Sequence, residues 1–558
     1  MKKIILASAS TLALLSAAPV LAQTGTNTST VNQAGNRGTA DVSQGGAGAT
    51  SDVQQGGERN AATVAQSGTG AKSTIVQDDA SGSDDRNTAS VTQDGSSTST
   101  VTQIGDYANA TVEQKGAGNS STLTQRSSTP VLFTTSTDAA DISQDGSDLT
   151  SVIDQNGSGT SVISRQTGSA NRSLVTQTGG LNQVTLSQAS TGNRSNILQG
   201  GPGLNTVNVL QSGDGNQSDV DQNGVSNDAG TATVRGVTQS GNDNQSYIKQ
   251  RGGNHEAEVL QRSDDNLANI DQGGNLSTDH TASVTQGAAG GSGSGNAAYV
   301  TQRGFNENAA IVQTGNANLT VVDQGGSSGR NHDALVTQGG DRNKGNVTQR
   351  GEDQDATLNQ SGNDNLASVV QGRDRSGVFD TSYGRSQSAT IVQSGSNNEA
   401  QSVQRGRNQI AFIEQIGATG NGNFAKVDQG ADSGRNSEAR VTQSGSANVA
   451  FTTQIGAAQY AKLIQGGNAN RADVNQGASS GHDANVTQTG NQNSTEVSQT
   501  GTTHYAELEQ SGNQNISYVA QSGSDNRATV FQYSDMNTSN VVQAGSNLTA
   551  AVTQGSHP

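Results

Sequence analysis

The sequence contains no cysteine and no tryptophan, only 4 prolines, and aromatics make up 3% of its 558 residues. Without cysteine there are no disulfides and no thiol chemistry, so an exported chain of this kind must be held together another way. Large side chains usually supply most core burial, and at 29% apolar residues a conventional core of this size cannot be built. After the first 22 residues no apolar run approaches the roughly 18 residues of a membrane span. Positive charge is also scarce: 31 Lys and Arg against 48 Asp and Glu leave a net −17, which disfavours nucleic-acid backbones and anionic lipid as partners.

What the chain does have is a leader and a beat. Lys2 and Lys3, an apolar stretch at 4–15 and the small-residue site Val20, Leu21, Ala22 read as a secretory signal over 1–22, with one repeat domain over 23–558. Forty-four glutamines from Gln33 to Gln554 mark the repeat, and 31 of the 43 intervals between them are eleven residues. In "ATVFQ" the residues Ala528, Val530 and Gln532 share parity, and β-branched residues at such spacing predict a strand with those three on one face. Gln-x-Gly-x-x-Asn after each strand is turn chemistry, with Gly and Asn expected to supply positive φ.

A slower alternation lies on top. Four residues before Gln, serine recurs in every second unit (Ser51, Ser73, Ser99, Ser121, Ser151, Ser173, Ser195, Ser218, Ser246). The units between carry Ala62, Ala89, Ala110, Ala140, Val162, Val184, Val207 and Arg235. The expected fold is all-β: a β-solenoid of about 22 two-strand rungs with two stacked parallel sheets and inward Gln, Asn, Ala, Ser and Val ladders. A lone buried Gln amide costs about 1–3 kcal/mol when unsatisfied, but one stacked about 4.8 Å above its like can bond up and down the column.

The motif Gln-x-Gly-x-x-Asn-x-Ala-x-x-x-Gln resembles the curlin repeat of curli subunits. It stands at Gln360, Gly362, Asn365, Ala367, Gln371; at Gln443, Gly445, Asn448, Ala450, Gln454; at Gln465, Gly467, Asn470, Ala472, Gln476; and at Gln521, Gly523, Asn526, Ala528, Gln532. A further instance is Gln55, Gly57, Asn60, Ala62, Gln66. The resemblance implies a secreted functional-amyloid fibre subunit of a Gram-negative-type bacterium, serving biofilm matrix and surface adhesion. As partners it implies the chain itself, a curli-type outer-membrane secretion pore and a nucleator. The chain departs from the family in its length and in lacking a non-repeat segment after the leader.

Other chemistry finds little support. The six histidines (255, 280, 332, 482, 504, 557) show no ligand spacing and read as solvated loop residues; acidic stretches such as 77–85 lack the nine-residue repeat of calcium β-rolls. No catalytic residue, cofactor or metal site is assigned, and "GGSGSG" at 290–295 lacks the strand-then-helix setting of a phosphate loop. A monomeric solenoid adhesin is the alternative function, and a disordered polymer would not need so constant a phase.

Two expectations remain. Eleven gaps exceed eleven residues, nine of them after odd-numbered units, so insertions should decorate one edge; the 22-residue gap from Gln371 to Gln393 should be one loop. The segment 536–555 contains no Asp, Glu, Lys or Arg, so Val541, Gln543, Val552 and Gln554 are expected to form a polymerising C-terminal face.

Overall fold

Alternating Val, Ile and Thr favour extended backbone, and the Gly-containing step after each Gln breaks it. The computed structural model accordingly consists of strands and turns, with no helix among the residues it describes: 25–78, 86–127, 137–229, 236–288, 290–372, 384–417, 422–430 and 434–556. The proposed leader and its cleavage point lie outside them. A representative strand, Tyr460–Gln465, has Ala461, Leu463 and Gln465 buried and the residues between them turned outward.

Each strand pairs in parallel with the strand after next. Gln33 stands beside Gln55 and Gln44 beside Gln66, and the same register runs on to Gln521 beside Gln543 and Gln532 beside Gln554. The chain is therefore a solenoid of 22 turns, each giving one strand to a first sheet (Gln33, Gln55 … Gln543) and one to a second (Gln44, Gln66 … Gln554). At about 4.8 Å per turn the stack is on the order of 105 Å long.

The core between the sheets is thin and built from small side chains. Ala or Ser four residues before Gln, and Val, Ile or Leu two before it, are buried in nearly every turn; no Phe or Tyr is among the buried residues described. Hydroxyls from opposite sheets touch, Ser164 Oγ lying 3.5 Å from Ser151 Oγ and 3.3 Å from Ser173 Oγ. One assignment in the Ser/Ala series changes. Ala229, not Arg235, stands beside Val207, because residues 230–235 interrupt their strand between Asp228–Ala229 and Val237–Gln239. Arg235 itself lies outside the described residues.

That interruption also modifies the account of the insertions. Of the eleven longer intervals, eight fall in connections leaving the first sheet, two in connections leaving the second (after Gln286 and Gln415), and one inside a strand. One edge is thus decorated and the other nearly plain. The insertion residues at 79–85, 128–136, 373–383, 418–421 and 431–433 lie outside the described set, but the strands flanking them hold register. Gln360 stands beside Gln393 and Gln371 beside Gln404, so the 22-residue interval is a single connection and the phase continues through it.

The insertions also keep time. From Gln272 to Gln476 a longer connection follows every fourth strand, each beginning with glycine: Gly273, Gly325, Gly372, Gly430 and Gly477. At the intermediate turns the same place holds Arg251, Arg303, Arg350 and Arg405. Asp271 bridges Arg251 and Arg303 at 2.9 and 2.8 Å, and Arg405 meets Asp428 at 3.0 Å. The structural repeat in this half is therefore two turns long.

Because loop length costs little once both flanking strands are fixed, removing 373–383 restores an eleven-residue spacing without touching a ladder. The deletion variant is expected to change unfolding free energy by less than about 1 kcal/mol, measured by denaturant titration followed by circular dichroism.

Candidate functional site: the amide ladders and the terminal turns

Glutamine at the end of every strand points inward, where its amide must find partners in a nearly dry space. It finds three. In the first sheet each Nε2 donates to Oε1 of the glutamine one turn on, from Gln33 to Gln55 (2.5 Å), through Gln454 to Gln476 (2.8 Å), to Gln521 and Gln543 (2.9 Å). The second sheet does the same from Gln44 to Gln66 (2.8 Å), through Gln360 to Gln393 (2.8 Å), to Gln532 and Gln554 (2.8 Å). The second Nε2 hydrogen crosses to the opposite sheet, as in Gln465 to the Val449 carbonyl at 3.0 Å and Gln532 to that of Ile516 at 3.1 Å. Both columns point their donors toward the C-terminal turn.

The asparagine six residues before Gln forms another column. In the first sheet sixteen successive turns carry it, from Asn171 to Asn537. Each Oδ1 accepts the backbone N–H of the next, as between Asn365 and Asn343 (3.0 Å) and between Asn470 and Asn448 (3.0 Å). In several turns Nδ2 also donates to a turn carbonyl, Asn470 to Gly466 at 2.8 Å and, in the second sheet, Asn526 to Ser522 at 2.8 Å, while Nδ2 of Asn216, Asn244, Asn318 and Asn515 bonds no described residue. Asn365, Asn448, Asn470 and Asn526 are thus buried ladder members and not the residues that reverse the chain. Positive φ falls on the residue before each: Asp364, Ala447, Ala469 and Asp525 at 56°, 55°, 56° and 55°.

The other motif residues occupy the places their spacing implied. Gln360, Gln371, Gln443, Gln454, Gln465, Gln476, Gln521 and Gln532 are buried, as are Ala367, Ala450, Ala472 and Ala528. Gly445, Gly467 and Gly523 have φ of 95°, 88° and 101°. Gly362 does not; there a Cβ would collide with the carbonyl of Gly395 one turn on. Glycine at this place serves close stacking of turns as much as its dihedral freedom.

Histidine departs most from expectation. His255, His280, His332, His482 and His504 are fully buried, not solvated; His557 lies outside the described residues. All five stand six residues before a Gln of the second sheet, in the asparagine place, and in His255 and His504 the ring reproduces the amide's two bonds; His280 and His482 keep only the acceptor bond, and neither ring nitrogen of His332 is bonded to a described residue. His504 Nδ1 accepts the Asn526 N–H at 3.3 Å, and its Nε2 faces the Thr500 carbonyl at 2.9 Å. His255 repeats this with the His280 N–H at 3.4 Å and the Arg251 carbonyl at 2.8 Å. Adjacent rings stack, 4.7 Å apart for His255 and His280 and 5.1 Å for His482 and His504. Counting back six residues from each Gln would have revealed the match. Among the described residues no group of three or more His, Cys, Asp or Glu is arranged to hold a metal.

Two turns have a face without a strand over it among the described residues. The first, Thr28–Gln33 and Thr39–Gln44, is largely solvent-exposed, Val31 being 45% accessible. The last comprises Thr538–Ser546 and Thr549–Gln554; Val541 and Gln543 retain 6% and 4% accessibility, whereas Val552 and Gln554 are half-buried.

Three stretches, 340–372, 490–523 and 505–533, match the model of the curlin associated repeat. Over these stretches the chain carries the curlin repeat. The motif instances at Gln360 and Gln521 fall within the matched stretches, and those at Gln443 and Gln465 adopt the same geometry outside them. A search of curated proteins gives no match to the chain. The repeat and the solenoid fit a curli-like structural protein, and a structural rather than catalytic role accords with such repeats. Curlin repeats belong to extracellular subunits, and among the described residues no helix is long and apolar enough to cross a membrane.

Two tests follow from the ladders. Gln360→Ala strands a donor on Gln338 and an acceptor on Gln393, and should lower local stability by about 2–4 kcal/mol; Gln543→Ala breaks one column bond, to Gln521, instead of two and should cost about half as much. Hydrogen exchange of the flanking strands measures both.

The histidines add a pH dependence. Burial pushes His280 down to about 3, His332 and His482 to about 4, and lowers His255 from the usual 6.5. A base depressed by folding lends its stability above the unfolded value and withdraws it as pH falls. The rod should weaken between pH 6.5 and 4, and a variant with these four histidines changed to Asn should weaken less in thermal melts across that range.

Proposed function

We propose that this protein is the structural subunit of a secreted curli-like amyloid fibre, polymerising head to tail and supporting biofilm matrix and surface adhesion. The observation that carries the reading is the likeness of its two open turns. The first presents Ser29, Val31 and Gln33 inward from one strand and Ala40, Val42 and Gln44 from the other; the last presents Ser539, Val541, Gln543 and Ala550, Val552, Gln554. The inward residues are identical, place for place. A second copy set on the last turn would extend every column in phase, with the strand from Thr538 meeting the strand from Thr28.

The amide columns give the contact a direction. At the last turn Gln543 and Gln554 each use one Nε2 hydrogen, on the carbonyls of Arg527 and Thr538, and keep the other for the next turn. At the first turn Gln33 and Gln44 have Oε1 as the corresponding acceptor. Donors therefore meet acceptors head to tail, whereas two like ends would set donor against donor. The uncharged last turn also lacks the residues that guard an exposed edge from strand addition. The leader directs the chain out of the cell, and a curli-type pore and nucleator are its proposed export and assembly partners.

Charge on the inward face of the last turn should stop growth without unfolding the rod. Val541→Lys with Val552→Asp is expected to retain β-sheet circular dichroism and to form no fibres within several wild-type half-times, followed by thioflavin-T fluorescence and electron microscopy. Fibres formed at the wild-type rate would overturn the proposed contact. A wild type that stays monomeric at high concentration would leave a surface-displayed adhesin as the function.

A further inference from the structure

The asparagine place of the second sheet holds a run of unlike residues in successive turns: His255, His280, Glu307, His332, Gln354, Gln387 and Gln409. All are buried, Glu307 to 1% accessibility. The other members are amides or imidazoles. Glu307 is a carboxyl standing where His255 and Gln354 place a donor, and burial outweighs the pull of the nearby Arg350 and Arg303 toward its charged form.

Four equivalent turns show this place: two fill it with a paired donor, one with Gln409 Nε2, which bonds no described residue, and one with Glu307. A Cβ on Gly273 would strike both the Arg251 carbonyl and His255 Nε2, and one on Gly372 both the Arg350 carbonyl and Gln354 Nε2. At Gly430 the same two places hold the Arg405 carbonyl and Gln409 Nε2. In the first two cases the nitrogen donates to that carbonyl, His255 to Arg251 at 2.8 Å and Gln354 to Arg350. At Gly325 the carbonyl belongs to Arg303, and the atom in the donor's place is Glu307 Oε1. An ionised carboxylate there would set two acceptors against each other. Oε1 has no other hydrogen-bond partner among the described residues, while Oε2 accepts the Arg303 N–H at 3.0 Å.

The surrounding charges are committed elsewhere. His280 Nδ1 lies 4.0 Å from Glu307 Oε2 but accepts the Glu307 backbone N–H at 3.4 Å, so it presents a lone pair there and not a proton. The Arg303 guanidinium is turned to the Asp271 carboxylate at 2.8 Å and to the Asp271 and Gln302 carbonyls. Arg350 holds Asp323 at 2.5 Å. His332, one turn on, is buried with neither ring nitrogen bonded to a described residue, and Asp279 and Asp353 lie beyond the rings.

We propose that Glu307 is carried as a neutral carboxylic acid whose O–H donates to the Arg303 carbonyl, making the His255–His280–Glu307–His332 column a proton-held seam at mid-rod. Burial agrees, raising the Glu307 carboxyl to about 9. An acid raised by folding stabilises fully below its unfolded value and loses that contribution as pH rises toward the folded one. The seam therefore weakens toward alkali through Glu307 and toward acid through its histidines. This inference does not depend on polymerisation.

The test uses the full chain and Glu307→Gln, a substitution the same column already accommodates at Gln354, Gln387 and Gln409. With carbon-13 glutamate labelling, the infrared difference between the two proteins at pH 7 should contain an un-ionised carboxyl C=O band. Hydrogen exchange supplies the second reading. After correction for intrinsic rates, amides of 297–313 in the wild type should open at least tenfold more at pH 10 than at pH 7, while those of Glu307→Gln and of the distant stretch 494–532 hold. A carboxylate-only difference spectrum would overturn the proposal, as would equal alkaline opening in both proteins, or a Glu307→Gln protein less protected at pH 7.

Discussion

A buried primary amide can be satisfied along a column only by a neighbour of its own kind. One glutamine in a thin apolar core is a liability; one glutamine above another at the β-spacing gives both a donor and an acceptor, leaving a second hydrogen to tie the sheets together. Everything regular in this molecule serves that condition. The eleven-residue spacing returns Gln to the same place, alternation keeps it inward, and the parallel register puts each Gln beside its like from Gln33 to Gln554. Small Ala, Ser and Val follow as consequences, because the sheets must sit close enough for Gln465 to reach the carbonyl of Val449 across the core. Cohesion is spread evenly over the turns, which suits a rod with no disulfide and no aromatic core.

Much of this was legible in the sequence because period and parity are backbone properties. The phase of Ser and Ala identified the two sheets, and it placed the interval from Gln371 to Gln393 in a single connection, as the pairing of Gln360 with Gln393 bears out. What was not legible depended on side chains changing identity within a column. His255 and His504 looked like loop residues because their neighbours are Gly, Asn and Asp; their role shows only when the imidazole is seen to match the amide's acceptor and donor in both position and direction. The break at 230–235 was hidden for a related reason. Its Thr and Val continue a strand-like alternation, so the last four residues before Gln239 imitate the repeat while Ala229 holds the register.

The family motif records the same physics less completely than the structure does. It names Gln, Gly, Asn and Ala, and these occupy the ladder, the close-stacked turn, the second ladder and the space between the sheets. Its asparagine marks the place where, in the second sheet, this chain varies most. In the second sheet the asparagine place holds Asn, Asp, Thr, His, Glu, Gln and Ser, each able to offer an acceptor to the next N–H, a donor to the turn carbonyl, or both, and also Ala108, which offers neither. Tolerance there has let titratable groups into the space between the sheets.

The two-turn period of the longer connections bears on how such a chain can change its length. From Gln272 to Gln476 the insertions recur at every fourth strand. Gain or loss of one such block by unequal recombination rejoins a first-sheet strand to a second-sheet strand in the original order. Both amide columns close over the join, and the inward residues of Thr28–Gln33 and Thr549–Gln554 are untouched. Contour length and junction chemistry are therefore separately heritable: the molecule can lengthen by pairs of turns, over generations, while the surfaces at its two ends stay the same.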